Sequence, residues 1–115
     1  MQFYETCSEG FIVAEINGIV IGYIVGFQAE EGMGRIFSFA VHPAYQARGV
    51  GSALLKEIID IFSRSGVSAI ILEVRAGNIR ARRFYEKHGL HQTGIAKQYY
   101  NDGEDAYLMR LKISY

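Results

Sequence analysis

Residues 35–52 read Arg-Ile-Phe-Ser-Phe-Ala-Val-His-Pro-Ala-Tyr-Gln-Ala-Arg-Gly-Val-Gly-Ser, and this stretch decides the fold. Its first eight residues are rich in isoleucine, phenylalanine and valine, which predicts a strand over 35–42. Pro43 ends that strand because proline has no N–H to donate to a ladder. The loop from Gln46 to Ser52 then leads straight into a segment of helical periodicity. A strand, a glycine-containing loop and a helix are therefore predicted in immediate succession.

The segment after Ser52 predicts an amphipathic helix followed by a buried strand. From Leu54 to Phe62, apolar residues recur at helical spacing with charged residues on the opposite face, and Gly66 ends the helix. An almost continuously apolar run predicts the next strand over 68–75, covered on both faces of a sheet. Because a strand-helix-strand unit crosses over with right-handed geometry, strands 35–42 and 68–75 should be parallel.

A hairpin is predicted before this unit. Two β-branched runs over 11–16 and 19–27 are joined by Asn17-Gly18, the dipeptide best suited to a tight hairpin turn. A loop over 30–34 then leads to the strand at 35–42. The first three strands should therefore be antiparallel.

A second helix and a second hairpin complete the chain. The helix is predicted between Asn78, a candidate N-cap, and Gly89. Its inner stripe consists of Ala81, Phe84, Tyr85 and His88. Segments 90–100 and 106–113 predict a final hairpin around residues 101–103. The order of elements predicts an α/β (α+β) fold in a single domain spanning 1–115, with antiparallel strands first, then a βαβ unit and a C-terminal hairpin.

Composition narrows the class of protein. The 115 residues are 50% hydrophobic and 21% charged, as in a soluble globular domain. Twelve Lys and Arg balance twelve Asp and Glu, so no global positive field favours nucleic acid or anionic lipid. No apolar run approaches the roughly 20 residues of a membrane span, and a single cysteine, Cys7, excludes an internal disulfide framework. We therefore expect a cytoplasmic protein with no nucleic-acid or membrane partner.

The loop over 46–52 has the composition of an anion site. Gly49 and Gly51 let the backbone pass close to a ligand, and free N–H groups at a helix start favour an anion such as pyrophosphate. A P-loop is excluded because its lysine is absent, and a dinucleotide fingerprint is excluded because Leu54 stands where a third glycine is needed. On the glycines alone, a tight strand-to-helix turn is an equal interpretation.

Ordered motifs along most of the chain resemble the GNAT family of N-acetyltransferases. They are Phe39-Ala-Val-His-Pro43, the Gln/Arg-x-x-Gly-x-Gly loop, Leu72-Glu-Val-Arg75, Asn78 and Phe84-Tyr-Glu-Lys-His-Gly-Leu90. The tail Tyr99-Tyr-Asn-Asp-Gly-Glu-Asp-Ala-Tyr-Leu-Met109 is similar to the ribosomal-protein alanine acetyltransferases of the RimI type and to archaeal and eukaryotic N-terminal acetyltransferases. The resemblance extends from Phe11 to the C-terminus.

This resemblance implies acetyl-CoA as cosubstrate, no metal, and direct attack on the acetyl group by the N-terminal α-amine of a protein or peptide. The implied cofactor-binding residues are Phe39, Ala40 and Val41 for the pantetheine arm and the thioester carbonyl, Gln46, Ala47, Arg48, Gly49, Val50, Gly51 and Ser52 for the pyrophosphate, and Asn78 for the pantetheine side. Glu73 is implied as the general base and Tyr85 as the general acid. Tyr99 and Tyr100 are implied at the peptide-binding mouth.

The chemistry of the two implied catalytic residues agrees with these roles. Glu73 is the only charge in residues 69–74, so desolvation should make it a stronger base. A strand-end glutamate that faces water is the alternative. Tyr85, with an ordinary pKa of about 10, stays protonated at pH 7 and can donate to a departing thiolate, whose pKa is nearer about 8.5. A core aromatic residue on the helix stripe is the alternative for Tyr85.

Other polar clusters allow two interpretations each. Arg80, Arg82 and Arg83 form either a solvated helix face or a contact for the 3′-phosphate of CoA. The pair Tyr99 and Tyr100 holds the first acceptor residues or consists of ordinary cross-strand aromatics. His88 and His91 lie three residues apart with no third ligand in the sequence, and we predict no metal site from them.

The N-terminus departs from the resembling family. Its members usually have an initial strand and one or two helices before the hairpin that starts here at Phe11. We expect these elements to be missing, which would leave strand 11–16 as an open apolar edge. Either a homodimer through this edge or an incomplete sequence would account for it. The acceptor groove would also lose one wall. Two other functions stay open, namely acetyl transfer to a small amine or a lysine side chain, and CoA binding without catalysis.

Overall fold

The computed structural model of the chain describes residues 1–7, 10–30 and 32–113. Seven strands form one sheet in the order β1-β2-β3-β4-β5-β7-β6. They are β1 (Gln2–Cys7), β2 (Phe11–Ile16), β3 (Ile19–Glu30), β4 (Met33–Val41), β5 (Ala69–Arg75), β6 (His91–Ala96) and β7 (Ala106–Lys112). Helix α1 (Val50–Arg64) connects β4 to β5, and helix α2 (Ile79–Lys87) connects β5 to β6. The predicted α/β class and the predicted order of elements from residue 11 onward are confirmed.

The parallel pair β4 and β5 creates the opening in the sheet. As predicted, the two strands are parallel, but only residues 33–35 of β4 face residues 69–71 of β5. Just beyond this point the register between β3 and β4 shifts, between Val25 and Gly26 on β3. The remaining halves of β4 and β5 run on without pairing to each other. A gap therefore opens between their C-terminal ends.

One hydrophobic core joins the helices to the sheet. The buried residues of α1 are Val50, Leu54, Leu55, Ile58 and Phe62. Helix α2 has no fully buried residue, and it packs against the same core with Ala81, Phe84 and Tyr85. Glycine on the sheet lets α1 approach closely, because a Cβ on Gly26 would lie 2.6 Å from the Ile58 side chain. Among residues 1–7, 10–30 and 32–113, no helix combines the length and apolarity needed to cross a membrane.

Several boundaries differ from the sequence predictions. β6 ends at Ala96, so residues 97–100 of the predicted segment 90–100 lie outside the strand. β3 extends to Glu30 and β4 begins at Met33, so residues 30, 33 and 34 of the predicted loop belong to strands, and residue 31 lies outside the described residues. Residues 27–30 are exposed, and ladder pairing rather than burial extends this end of β3. Helix α1 begins at Val50 rather than at Ser52, because the glycine before it already acts as the N-cap.

The N-terminal edge of the sheet corrects a prediction. β1 pairs antiparallel with β2, from Gln2 opposite Glu15 to Cys7 opposite Phe11. The expectation that strand 11–16 is an open edge was wrong, because β1 occupies that position, and the homodimer inferred from an open edge loses its basis. An initial strand is therefore present. Along the chain, only residues 8–10 separate β1 from β2.

Candidate active site

The gap between β4 and β5 opens into two adjoining cavities. The larger has a volume of about 630 Å³ and lies between the end of β4, the glycine loop and α2. The predicted cofactor-binding residues that line it are Phe39, Ala40, Val41, Gln46, Ala47, Gly49, Gly51, Ser52 and Asn78. Two others do not line it. The Arg48 guanidinium lies 5.6 Å from the centre of the Tyr45 ring, and Val50 is buried in the core.

The glycine loop leaves the first turn of α1 open for a ligand. Gly49 is the N-cap of α1, and its φ of 83° lies in the left-handed region that favours glycine. No side chain caps the helix, and its first turn contains no acidic residue. Gln46 braces the loop, since its Nε2 donates to the Val41 carbonyl at 3.0 Å. The first N–H groups of α1 therefore keep their capacity to bind an anion.

The smaller cavity, about 230 Å³ in volume, is lined by both predicted catalytic residues. Glu73 comes from β5, beyond the last residue paired with β4, and Tyr85 comes from α2. The residues that line both cavities are Phe39, Asn78, Ala81 and Tyr85. The two cavities therefore share a wall at Tyr85, with the glycine loop on one side and Glu73 on the other.

Glu73 is neither isolated among apolar groups nor turned to water. Its side chain is 16% exposed, and its Oε1 accepts a hydrogen bond from Arg35 in an ion pair. The sequence did not indicate this partner, which lies 38 residues away on the neighbouring strand β4. Glu73 is therefore a carboxylate with one oxygen engaged, at the wall of a cavity.

Tyr85 is both a core aromatic and a cavity residue, so its two predicted interpretations are compatible. Its ring centre lies 5.5 Å from that of Phe84 and 6.3 Å from that of Phe39. Burial, together with the nearby Tyr100 hydroxyl, raises the pKa of Tyr85 to about 12. Tyr85 is therefore fully protonated at neutral pH and presents a hydroxyl donor.

Asn78 connects helix α2 to the site. Its Oδ1 accepts a hydrogen bond from the Ala81 N–H at 3.1 Å, which confirms the predicted N-cap. Asn78 also lines both cavities, so the cap holds this residue at the wall that they share.

The segment between β6 and β7 carries the tyrosine pair. The Tyr99 and Tyr100 rings meet edge to face with centres 5.1 Å apart. Tyr100 lines the smaller cavity, and burial raises its pKa. Tyr99 is 47% exposed, and its hydroxyl lies 3.4 Å from Nη2 of Arg35. Tyr100 therefore borders the cavity that Glu73 lines, and Tyr99 contacts Tyr100 without lining that cavity.

An ion-pair cluster holds this segment against the end of β5. Nη1 of Arg75 donates to Asp102 and Glu104, each at 2.8 Å, and Glu104 also accepts the Gly77 N–H at 2.9 Å. The Arg75 guanidinium lies 4.0 Å from the centre of the Tyr100 ring. Hydrogen bonds from the Glu104 N–H and Arg75 lower the pKa of Asp102, and those from Arg75 and the Gly77 N–H lower the pKa of Glu104. These ion pairs and hydrogen bonds therefore fix the position of the segment that carries Tyr99 and Tyr100.

Of the three arginines predicted as a patch, one lines the larger cavity. That residue is Arg80, and Lys87 joins it seven positions later. Arg82 instead lies 4.1 Å from the Tyr107 ring centre and donates to the Ala76 carbonyl, and Arg83 is exposed outside the cavity wall. Lys87 was missed, although seven residues are two helical turns and the spacing indicates the same face.

His88 lines the larger cavity, and its Nδ1 lies 2.8 Å from the Phe84 carbonyl. His91 begins β6 and is exposed. Within the part of the chain that the structure describes, no three His, Cys, Asp or Glu side chains are grouped as metal ligands.

The sequence and the fold match known proteins. The pattern shared by the acetyltransferase (GNAT) family matches residues 2–90. An uncharacterized N-acetyltransferase of Methanocaldococcus jannaschii is 44% identical over 109 residues, which cover 94% of this chain and 67% of that protein. The ribosomal protein bS18-alanine N-acetyltransferase of Escherichia coli is 45% identical over 82 residues, covering 69% of this chain and 55% of that protein. This chain thus spans roughly half to two thirds of these relatives.

Solved structures have the same fold. Ard1 from Thermoplasma volcanium has a TM-score of 0.90 at 35% identity, covering 92% of this chain and 72% of that one. Naa50 of Arabidopsis thaliana, solved with the bisubstrate analogue CoA-Ac-MVNAL, has a TM-score of 0.82 at 29% identity, covering 91% of this chain and 74% of that one. The resemblance seen in the sequence is confirmed, and the chain belongs to the acetyltransferase (GNAT) family.

Proposed function

We propose that this protein transfers an acetyl group from acetyl-CoA to the N-terminal α-amine of a protein or peptide. The observation that carries the proposal is that Glu73 and Tyr85 line one cavity, and that Tyr85 also lines the glycine-loop cavity. The relatives support this acceptor, because the Escherichia coli protein is named for a ribosomal-protein alanine and Naa50 was solved with CoA joined to a peptide. The single cysteine fits the reducing cytosol as the site of action.

Acetyl-CoA would occupy the larger cavity. The pyrophosphate would bind the free N–H groups of the glycine loop and of the first turn of α1. The pantetheine arm would lie along residues 39–41, whose strand has no β5 partner at this level and so has backbone groups available. Asn78 would contact the same arm where the cavities meet. The thioester would then lie beside Tyr85.

The acceptor amine would enter through the smaller cavity and attack the thioester carbonyl directly. An α-amino group has a pKa of about 7.7 to 8.0, so its deprotonation near neutral pH is undemanding, and Glu73 takes the proton directly or through water. The tetrahedral intermediate then collapses with cleavage of the C–S bond. Because Tyr85, at a pKa of about 12, is a weaker acid than the departing thiol, it stabilises the thiolate by a hydrogen bond, and solvent completes the thiol.

The acceptor class is tested with matched peptides. Free and N-blocked peptides that begin with Ala, Ser or Met, with one set containing lysine, are incubated with acetyl-CoA, and CoA release is followed by mass spectrometry of the peptides. Acetylation confined to free N-termini is expected. Transfer to lysine in N-blocked peptides would change the acceptor class. CoA binding without transfer to any acceptor would contradict the proposed enzyme.

Arg80 and Lys87 are expected to bind the 3′-phosphate of CoA. Replacing either with glutamine should raise the Kd for CoA by about five- to tenfold at low salt, because a charge-assisted contact to phosphate is lost. The Kd for 3′-dephospho-CoA should stay unchanged. Arg83→Gln is the control, since Arg83 is exposed on the same helix outside the cavity wall. Calorimetry with CoA and with 3′-dephospho-CoA measures these Kd values. An equal loss of affinity for both ligands would show that the side chain does not contact the 3′-phosphate.

Tyr99 and Tyr100 are expected to hold the acceptor backbone. Tyr99→Phe or Tyr100→Phe should raise the peptide KM by about three- to tenfold, the effect of one lost hydrogen bond, with little change in the KM for acetyl-CoA. Tyr4→Phe is the control, because Tyr4 lies on β1 at the other edge of the sheet. Steady-state kinetics with each substrate varied in turn measure the effect. An unchanged peptide KM would show that the two tyrosine hydroxyls do not bind the acceptor and that the rings have a structural role.

A further inference from the structure

Arg35 connects the proposed base to the proposed acceptor segment. Its Nη2 donates to Oε1 of Glu73 and lies 3.4 Å from the Tyr99 hydroxyl. The Arg35 side chain is 27% exposed, and Arg35 lines neither of the two cavities. Any effect it has on a ligand in the cavities would therefore pass through the residues it holds.

The backbone fixes where Arg35 can reach. It faces Ile71 in the last pair of residues between β4 and β5, so its Cα is held by the closed part of the sheet. Glu73 lies two residues further along β5 and on the same face as Ile71, where β4 no longer pairs with β5. The guanidinium thus reaches from the closed part of the sheet to a carboxylate at the gap. At the level of Glu73, β5 has no backbone pairing with β4, so the sheet does not hold Glu73 on that side.

We propose that Arg35 is a positioning residue for acetyl transfer, an inference that rests on the proposed function. By engaging Oε1 of Glu73, it orients the carboxylate and leaves Oε2 for the acceptor amine or a bridging water. Through the Tyr99 hydroxyl it also sets the distance between that carboxylate and the segment that holds the peptide. Planar guanidinium donors suit this bridging role, which a single ammonium group fills less well.

The sheet supplies a matched control. Arg110 on β7 faces Ile71 from the other side of β5, so Arg35 and Arg110 flank the same residue on the same face. Arg110 is exposed and makes no ion pair with a described residue. Removing either arginine deletes one positive charge from nearly the same place. Only Arg35→Met removes a contact to Glu73.

The kinetic test is a double-mutant cycle with Arg35→Met and Glu73→Gln, with Arg110→Met alongside. Arg35→Met should lower kcat by about tenfold, because a carboxylate displaced by a fraction of an ångström loses much of its effect, while the KM for acetyl-CoA stays constant. In the Glu73→Gln background the same change should alter kcat less than twofold. Arg35→Lys should recover part of the loss, and Arg110→Met should leave kcat unchanged.

A binding measurement distinguishes failure of this inference from failure of the proposed function. A CoA-peptide conjugate and CoA alone are titrated against each variant by calorimetry, with circular dichroism to check folding. Arg35→Met should raise the Kd for the conjugate and leave the Kd for CoA unchanged. Three outcomes would overturn the role of Arg35: additive effects in the kinetic cycle, an unchanged kcat for Arg35→Met, or an equal rise in Kd for both ligands. If the wild type binds the conjugate without turnover, the proposed function is overturned, and the binding comparison alone tests the role of Arg35. If the wild type binds neither ligand, both proposals are overturned.

Discussion

Replacing Tyr85 with phenylalanine should lower kcat for acetyl transfer by about 100-fold while leaving the Kd for CoA nearly unchanged. The hydroxyl is the group expected to donate to the departing thiolate, and loss of one such preorganised donor in a shielded site typically costs about two orders of magnitude. The ring is retained, so its contacts with Phe39 and Phe84 should survive and the fold should be preserved. Single-turnover kinetics would separate this loss from any change in product release.

The pH dependence of the Tyr85 effect has a definite sign. Burial holds the pKa of Tyr85 at about 12, so the hydroxyl stays protonated as the pH rises from 6 to 10. The rate ratio of wild type to Tyr85→Phe should therefore be constant over this range. Tyr107→Phe is the control, because Tyr107 packs against the same core and lines neither cavity. A ratio that falls toward one near pH 10, or a Tyr107→Phe loss of similar size, would contradict the assigned role.

Replacing Glu73 with glutamine should slow transfer without abolishing it. We expect kcat/KM for the peptide to fall by about 30- to 100-fold at pH 7, the usual contribution of a general base. The loss should shrink as the pH rises above about 8, because the α-amine then loses its proton to solvent unaided. Removing the carboxylate also leaves Arg35 without its ion-pair partner, so thermal denaturation must be measured in parallel.

Glu15→Gln is the control for the Glu73 experiment, since Glu15 is a half-buried strand glutamate far from β5 in the sheet order. It should keep wild-type kinetics at every pH. A Glu73→Gln deficit that is the same at pH 7 and pH 9.5 would show that the carboxylate holds the acceptor rather than accepting its proton.

Most of the fold followed from local patterns in the sequence. The Asn17-Gly18 turn, the period change after Ser52 and the apolar run over 68–75 each specify one element, and the handedness of the crossover specifies how they assemble. β1 could not be predicted in this way, because Gln2–Cys7 mixes polar and apolar residues and its place depends on pairing with β2. The extension of β3 to Glu30 likewise depends on ladder pairing and not on burial of side chains.

Local sequence patterns predicted less of the site than of the fold. Glycine and helix-start chemistry indicated an anion, but the roles of Glu73 and Tyr85 came from the family resemblance, because no local period distinguishes a cavity residue from a core residue. Lys87 could have been predicted from the helical repeat after Arg80. Arg35 could not, since it meets Glu73 only when β4 and β5 lie side by side.

When acetyl-CoA binds, its thioester should lie between Tyr85 and Glu73, where the two cavities share a wall. A crystal structure with a CoA-peptide conjugate tests this most directly. We expect the pyrophosphate at the N–H groups of residues 47–51, the linking carbonyl within about 3 Å of the Tyr85 hydroxyl, and the peptide leaving past Glu73 and Tyr100. A conjugate whose peptide leaves by another route, with its reacting carbon remote from both side chains, would contradict it.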